Sequence, residues 1–261
     1  MRSPLRYPGG KTRARSIIVP EIQRQNAKTL ISPFIGGGSI ELAWLEKNPG
    51  GTVEAYDLYE PLVSFWNHAL TNPQGVASLS KMHMPCSKEL FKELQKKIGG
   101  LKGIEQAASF FVVNRCSFSG STNSGGMSPG HIRFNDNAVM RLNNFKGNGL
   151  TVSHRDSLKV LEETLSRSPE GCAMYLDPPY DITGANLYGT KGNMHKGFDH
   201  ERLAQLCSAL DELGWKFIMS YNDSERIREL YSNFSIRPAT WSYSMRGGQA
   251  SEILIISRNW K

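Results

Sequence analysis

The sequence predicts an α/β protein, a doubly wound sheet interrupted by an inserted, mainly helical module. Three observations carry that expectation. Short apolar runs alternate with segments of helical periodicity. Several of the runs end in a glycine turn, a proline pair or a carboxylate, as strands do where an open α/β sheet binds ligands. The alternation then breaks between residues 75 and 148, where lysine-rich helical spacing and a Ser/Gly-rich stretch replace it.

In chain order, a basic, turn-rich start leads to a short helix over 15–26, and residues 29–32 begin a strand stopped by Pro33 and the glycines at 36–38. Residues 39–45 have helical composition, 52–56 read as a strand closed by Asp57, and 62–70 as a helix. Within the insertion, Leu90, Phe91, Leu94 and Ile98 fall at helical spacing over 87–98, and 105–113 reads as a second helix. Residues 117–130 are small, polar and flexible, and strand-like alternation resumes at 131–135. The sheet returns with 150–153 and 172–176, followed by Asp156 and Asp177, then a helix over 203–213 and strands at 216–220, 235–238 and 253–257. The run Ile253-Leu254-Ile255-Ile256 is apolar enough for burial on both faces.

At 261 residues, 39% hydrophobic and 21% charged, the chain has the composition of a soluble globular protein. The net charge of +7 is concentrated in residues 81–160, which hold twelve Lys and Arg against five Asp and Glu, so a polyanionic partner should meet the middle of the chain. Cysteines at 86, 116, 172 and 207 lack zinc-knuckle or CxxC spacing and read as reduced thiols. With no secretory h-region and no apolar run of membrane-spanning length, a cytoplasmic protein is expected.

The sharpest chemical signal is Asp177-Pro178-Pro179-Tyr180, directly after an apolar run. Proline restricts the backbone and removes a donor, leaving the Pro178 carbonyl and the Asp177 carboxylate as acceptors beside a ring, Tyr180. An exocyclic amino group is a poor nucleophile because its lone pair is delocalised into the base. Two acceptors for its hydrogens would return electron density to nitrogen and aim the lone pair at a methyl donor. The second signal is Pro33-Phe34-Ile35-Gly36-Gly37-Gly38-Ser39, which has neither the Lys-Ser/Thr of a Walker A loop nor G-x-G-x-x-G spacing. It suits the ribose and amino-acid part of a nucleoside cofactor, or is simply a tight turn. Asp57, about 20 residues on, is placed to bind ribose hydroxyls. Asp156 reads either as a helix cap or as an acceptor for the cofactor's adenine amino group. Arg6-Tyr7-Pro8-Gly9-Gly10-Lys11 joins a ring, a flexible turn and a cation that reaches a carboxylate or backbone carbonyls.

These motifs in this order resemble the Dam-like (D12 class) DNA adenine-N6 methyltransferases, and the resemblance runs through nearly the whole chain. It implies a Rossmann-like class I methyltransferase sheet formed by residues 1–74 and 149–261, with a target-recognition domain over 75–148. It also implies S-adenosylmethionine as cofactor and duplex DNA as partner. The cofactor set it implies is Tyr7, Gly9, Gly10, Lys11, Pro33, Phe34, Gly36, Gly38, Ser39, Asp57, Asp156, Asp177 and Phe198. The catalytic set is Asp177, Pro178, Pro179 and Tyr180. Asn114-Arg115 resembles the element ahead of the family's DNA-contacting hairpin, and Arg133-Phe134-Asn135 the segment after it. Residues 116–130 depart from the pattern of GATC-methylating members, which leaves the target sequence open.

No metal is required for an in-line methyl transfer, because alignment and electrostatic preorganisation carry the work. The target base must leave the duplex and be held by Tyr180 and its neighbours. Base reading is expected from Asn114, Arg115, Ser117, Ser119, Asn123, His131 and Arg133, with Arg115 and Arg133 meeting guanine or phosphate. Lys88 and the lysines after it read as phosphate contacts or as a solvated helix face. Phe198, Asp199 and His200 resemble the family segment after the catalytic loop that packs against the cofactor, and Ser220-Tyr221-Asn222 stands where a family motif supports the base pocket. The tetrad chemistry alone also fits cytosine N4 or an RNA adenine; motif order favours DNA adenine.

Overall fold

The computed structural model describes residues 2–128, 133–181, 197–240 and 251–261. Seven strands form one sheet in the order β3-β2-β1-β4-β5-β7-β6. They are β1 (Thr29–Ser32), β2 (Thr52–Asp57), β3 (Leu150–His154), β4 (Cys172–Leu176), β5 (Phe217–Asn222), β6 (Ser235–Thr240) and β7 (Ser251–Ile256). All neighbouring pairs from β3 to β5 are parallel, and β7 runs antiparallel to both β5 and β6. The order reverses between β1 and β4, and such a switch point opens a crevice at the carboxyl ends of the strands.

Period-2 alternation explains why the central strands are apolar throughout. Leu30, Ala173, Tyr175, Ile218, Leu254 and Ile256 face one hydrophobic cluster. Ile31, Met174, Leu176, Phe217, Met219, Ile253 and Ile255 face the other. The second face is covered by α8 (Ser157–Thr164), α9 (His200–Glu212) and α10 (Glu225–Leu230). The first carries α1 (Arg15–Gln23), α2 (Ser39–Lys47) and α3 (Glu60–Thr71).

Residues 73–143 add α4 (Pro73–Lys81), α5 (Lys88–Lys97), α6 (Gly103–Cys116) and α7 (Asp136–Asn143). Their apolar side chains join the same cluster as the first sheet face. Phe65 of α3 stacks on Phe111 of α6, ring centroids 5.9 Å apart. The inserted helices are thus fastened to the sheet through α3, which fixes the loop after α6 relative to the carboxyl ends of the strands.

That loop differs from the expected flexible stretch. Residues 118–120 and 122–124 form short 3-10 turns, Ser117 bridges to Met127, and the Gln95 side-chain amide donates to the carbonyls of Thr122 and Gly125 at 2.7 and 2.8 Å. Residues 133–135 are a turn rather than a strand, because the Asn135 side chain caps α7 by accepting from Ala138 N at 3.0 Å.

Candidate active site

A cleft lies across the carboxyl ends of β2, β1 and β4, with about 830 Å³ of empty space including its open mouth. Its lining includes Pro33 to Glu41 after β1, Asp57 and Leu58 after β2, Ser157 after β3 and Asp177 and Pro179 after β4. Tyr7, Gly10, Lys11 and Phe198 close it. Most of the expected cofactor set therefore converges on one cavity.

The glycine loop is shaped first by protein neighbours. Gly36 (φ +45°) lies under the Tyr7 ring, where a Cβ would stand 2.8 Å from the ring, and Gly38 (φ +62°) lies against Trp66, where a Cβ would stand 2.9 Å from the indole. Both positions therefore exclude other side chains on conformational and steric grounds. The Trp66 indole donates to Gly36 O at 3.1 Å, and Gly36 N donates to Asp57 Oδ2 at 3.1 Å. Tyr59 N donates to the other Asp57 oxygen at 3.0 Å. Asp57 is thus fixed with acceptor capacity on both oxygens. Burial pushes its carboxyl up to about 6, opposed by these N–H donors. Phe34 and Phe198 meet edge to face at 5.8 Å and form an apolar wall.

These features fit a nucleoside cofactor. A fixed carboxylate offers acceptors for two hydroxyls, the wall offers apolar surface, and the Gly36 and Gly38 N–H groups are already engaged by Asp57 and by the Ile35 carbonyl. Asp156 has the capping role. Its Oδ1 accepts from Leu158 N and Lys159 N at 2.9 and 3.2 Å, and the adjoining Ser157 lines the cleft instead. Gly9 contributes its carbonyl, which accepts from Lys11 Nζ at 3.0 Å.

At the end of β4, Lys11 Nζ lies 2.7 Å from Asp177 Oδ1, with Lys11 only 3% exposed. Ser220 of β5 donates to the same oxygen at 3.0 Å, and the Ser220 hydroxyl also meets the Tyr175 hydroxyl at 3.0 Å. Among the described residues Asp177 Oδ2 accepts no bond, so Oδ1 anchors the carboxylate and leaves Oδ2 for a substrate. Pro178 is buried and Pro179 faces the cleft. Lys11 Nζ lies 5.0 Å over the Tyr180 ring, which also stacks against Tyr221 at 6.1 Å and 27°. Asn222 pins the end of this turn, accepting from Asp181 N at 3.0 Å and donating to Asp181 O at 3.2 Å. His200 packs behind it, bonded to the Tyr221 hydroxyl, and burial lowers its proton affinity. Ser220, Tyr221 and Asn222 thus each brace a different part of the Asp-Pro-Pro-Tyr turn.

Three of the expected DNA contacts are buried. Asn114 is fully buried and clamps the Arg6 backbone, accepting from Arg6 N at 3.0 Å and donating to Arg6 O at 2.6 Å. Arg115 is 8% exposed and donates to the carbonyls of Arg133 and Pro4 at 2.8 and 3.4 Å. Both side chains are occupied in joining α6 to the amino-terminal segment, and neither presents a free edge to a base. Burial, with Arg6, Arg141 and Arg133 nearby, pushes Arg115 down to about 10. Ser117 is also buried, donating to Asn114 O at 3.1 Å. Ser119 and Asn123 are half-buried, whereas Arg133, Lys88, Lys92, Lys96, Lys97 and Lys102 are exposed. His131 lies outside the described residues.

Sequence reasoning missed Glu41, Tyr175, Ser157 and Phe118. Glu41 looks like an ordinary residue of the first helical turn, and only the fold turns it into the cleft. Phe118 is 52% exposed beside Ser119, which has φ +54°. An aromatic residue inside a Ser/Gly-rich stretch was the available signal.

The strand order, with its antiparallel seventh strand, and a cleft suited to a nucleoside at the switch point define a Rossmann-like class I methyltransferase. The sequence pattern of the D12 class N6 adenine-specific DNA methyltransferases matches residues 7–245, and the chain belongs to that family. It is 24% identical to the Type II methyltransferase M1.LlaDCHI of Lactococcus lactis subsp. cremoris over 98% of this chain and 95% of the relative. It is 25% identical to a DNA adenine methylase of Vibrio cholerae over 88% of this chain and 84% of the relative. The Type II methyltransferase M.MjaIII of Methanocaldococcus jannaschii is 24% identical over 89% of each chain. The protein is an adenine-N6 DNA methyltransferase, its methyl donor is S-adenosylmethionine and its substrate is DNA. No helix among the described residues is long and apolar enough to cross a membrane.

Proposed function

We propose that the cleft across β2, β1 and β4 holds S-adenosylmethionine and that Asp177 and the Pro178 carbonyl accept the two N6 hydrogens of an adenine extruded from duplex DNA. The observation that carries this reading is the Asp177 carboxylate, anchored through one oxygen by Lys11 and Ser220 and open at the other. Asp57 binds the ribose hydroxyls, Phe34 and Phe198 cover the nucleoside, and the glycine loop passes beneath it. The cofactor supplies a methyl group on a positively charged sulfur. The two acceptors polarise N6 and hold its lone pair in line, Tyr180 stacks on the base, and Lys11 fixes Asp177. Asp177 Oδ2 or water takes the N6 proton after the new bond forms. Flipping the base costs a few kcal/mol, supplied by stacking and by contacts with the DNA backbone.

Residues 75–148 act as the recognition unit, with residues 117–128 carrying target choice. Exposed Arg133, Arg141 and Lys88 meet phosphates, and Ser119 and Asn123 approach base edges. Phe118 supplies an apolar wedge of the kind that fills an unstacked step. Asn114 and Arg115 set the loop's position from behind. Such an enzyme works as a monomer on cytoplasmic DNA. The test is expression in a host lacking adenine methylation, with every modified adenine mapped by single-molecule sequencing. A single recurrent motif is expected, altered or lost when 117–128 becomes a glycine-serine linker. An unchanged motif at normal activity would remove the loop from recognition.

A further inference from the structure

The methyl-transfer account leaves one acid in the cleft without a task. Glu41, the third residue of α2, is 1% exposed and lines the cavity. Ser32, which ends β1, donates to Glu41 Oε1 at 2.6 Å. The backbone N–H groups of Glu41 itself and of Ile40 also face the carboxylate, and among the described residues no cation pairs with it. Asp177, which follows β4, lies close enough to act on it, and Glu41 in turn acts on Tyr175 of β4. Lys11, the one cation among the residues lining the cleft, is already held by Asp177 and Gly9. Burial, reinforced by Asp177 and opposed by Ser32, pushes Glu41 up to about 7.

A buried acid with no counter-charge burdens the free protein once ionised, and a ligand bringing positive charge relieves that burden. The sheet order says which part of the ligand does so. Asp57 closes β2, Ser32 closes β1 and Asp177 follows β4, with β1 between the other two. If the ribose lies at Asp57 and the methyl group faces Asp177, the amino-acid branch leaving the sulfur falls to the end of β1. That branch ends in an ammonium and a carboxylate, and only the ammonium suits an acid.

We infer that Glu41 binds the α-ammonium group of S-adenosylmethionine, with Ser32 orienting its carboxylate. The inference rests on the cofactor lying in this cleft. Pairing favours the ionised acid, so binding near neutral pH releases protons.

The experiment is calorimetric titration of the full-length protein in buffers of different ionisation enthalpy. The ligands are S-adenosylhomocysteine, which keeps the ammonium, and 5′-deoxy-5′-methylthioadenosine, which lacks the whole amino-acid branch. Above about pH 7, where Asp57 is already ionised, wild type should release more protons with the first ligand than with the second, a comparison that needs no variant. Glu41→Gln should weaken S-adenosylhomocysteine roughly tenfold to a hundredfold, the range for a hydrogen bond to a charged group. It should abolish that excess proton release and leave methylthioadenosine affinity unchanged. Equal losses for both ligands would make Glu41 a pocket-shaping residue and overturn the inference, as would unchanged affinity for both. Asp57→Ala should weaken both ligands; if it weakens neither, the location of the cofactor fails independently of Glu41.

Discussion

Replacing Asp57 with Ala isolates the step on which cofactor recognition depends. Each Asp57 oxygen is already fixed by one backbone N–H, from Gly36 at 3.1 Å and Tyr59 at 3.0 Å. Each therefore retains acceptor capacity for one ribose hydroxyl. A hydrogen bond to a charged group contributes about 1.5 kcal/mol or more, so losing two should weaken binding by about 3 kcal/mol, or roughly 150-fold. Titration adds a second signature. Burial holds this carboxyl at about 6, and hydroxyl donors need the ionised form. Affinity should therefore be flat above pH 7 and decline through pH 6, approaching about tenfold per unit below it. Calorimetry with 5′-deoxy-5′-methylthioadenosine isolates this contribution, because that ligand does not reach Glu41. A folded Asp57→Ala variant with unchanged affinity, or a wild type flat down to pH 5, would refute the reasoning.

Lys11→Met keeps the stem and removes the cation 2.7 Å from Asp177. Breaking a buried pair costs about 3–5 kcal/mol, and the partial exposure of Asp177 points to the low end, so single-turnover methylation should fall by roughly a hundredfold; a near-normal rate would contradict the anchoring role. Arg115→Ala removes two bonds to buried carbonyls and should lower stability to urea by about 1–3 kcal/mol while affecting all target sequences alike. Loss of discrimination at one base pair with unchanged stability would restore Arg115 as a base contact. Phe118→Ala should leave stability within about 0.5 kcal/mol yet weaken DNA binding in a mobility-shift titration, and equal binding would exclude the wedge.

Parallel strands were legible because burial on both faces leaves compact apolar runs. Residues 29–32 and 172–176 were read with the bounds observed, Thr29–Ser32 and Cys172–Leu176. Helices α4, α7, α8 and α10 escaped notice. They are short, and much of their definition comes from side-chain caps at Asn72, Asn135, Asp156 and Ser224 rather than from long periodicity. Candidate site residues at strand ends were legible because topology places strand ends together. The burial of Asn114 and Arg115 was not legible because a polar pair at the end of an apolar helix looks exposed, whereas the amino-terminal segment folds over it and takes its donors. Glu41 could not be found because its meaning depends on Ser32 nine residues earlier, brought to 2.6 Å only when β1 and α2 pack.

The central claim is that Asp177, held by Lys11 and Ser220, activates the target amino group. Single-turnover transfer of labelled methyl to duplex DNA by Asp177→Ala, beside a DNA-binding measurement on the same preparation, tests it most directly. Wild type should yield labelled N6-methyladenine. The variant should lose at least about a hundredfold in rate, as sites do when they lose a preorganised electrostatic contact, while binding DNA nearly as well. A near-normal rate of N6-methyladenine formation by the folded variant would contradict the account.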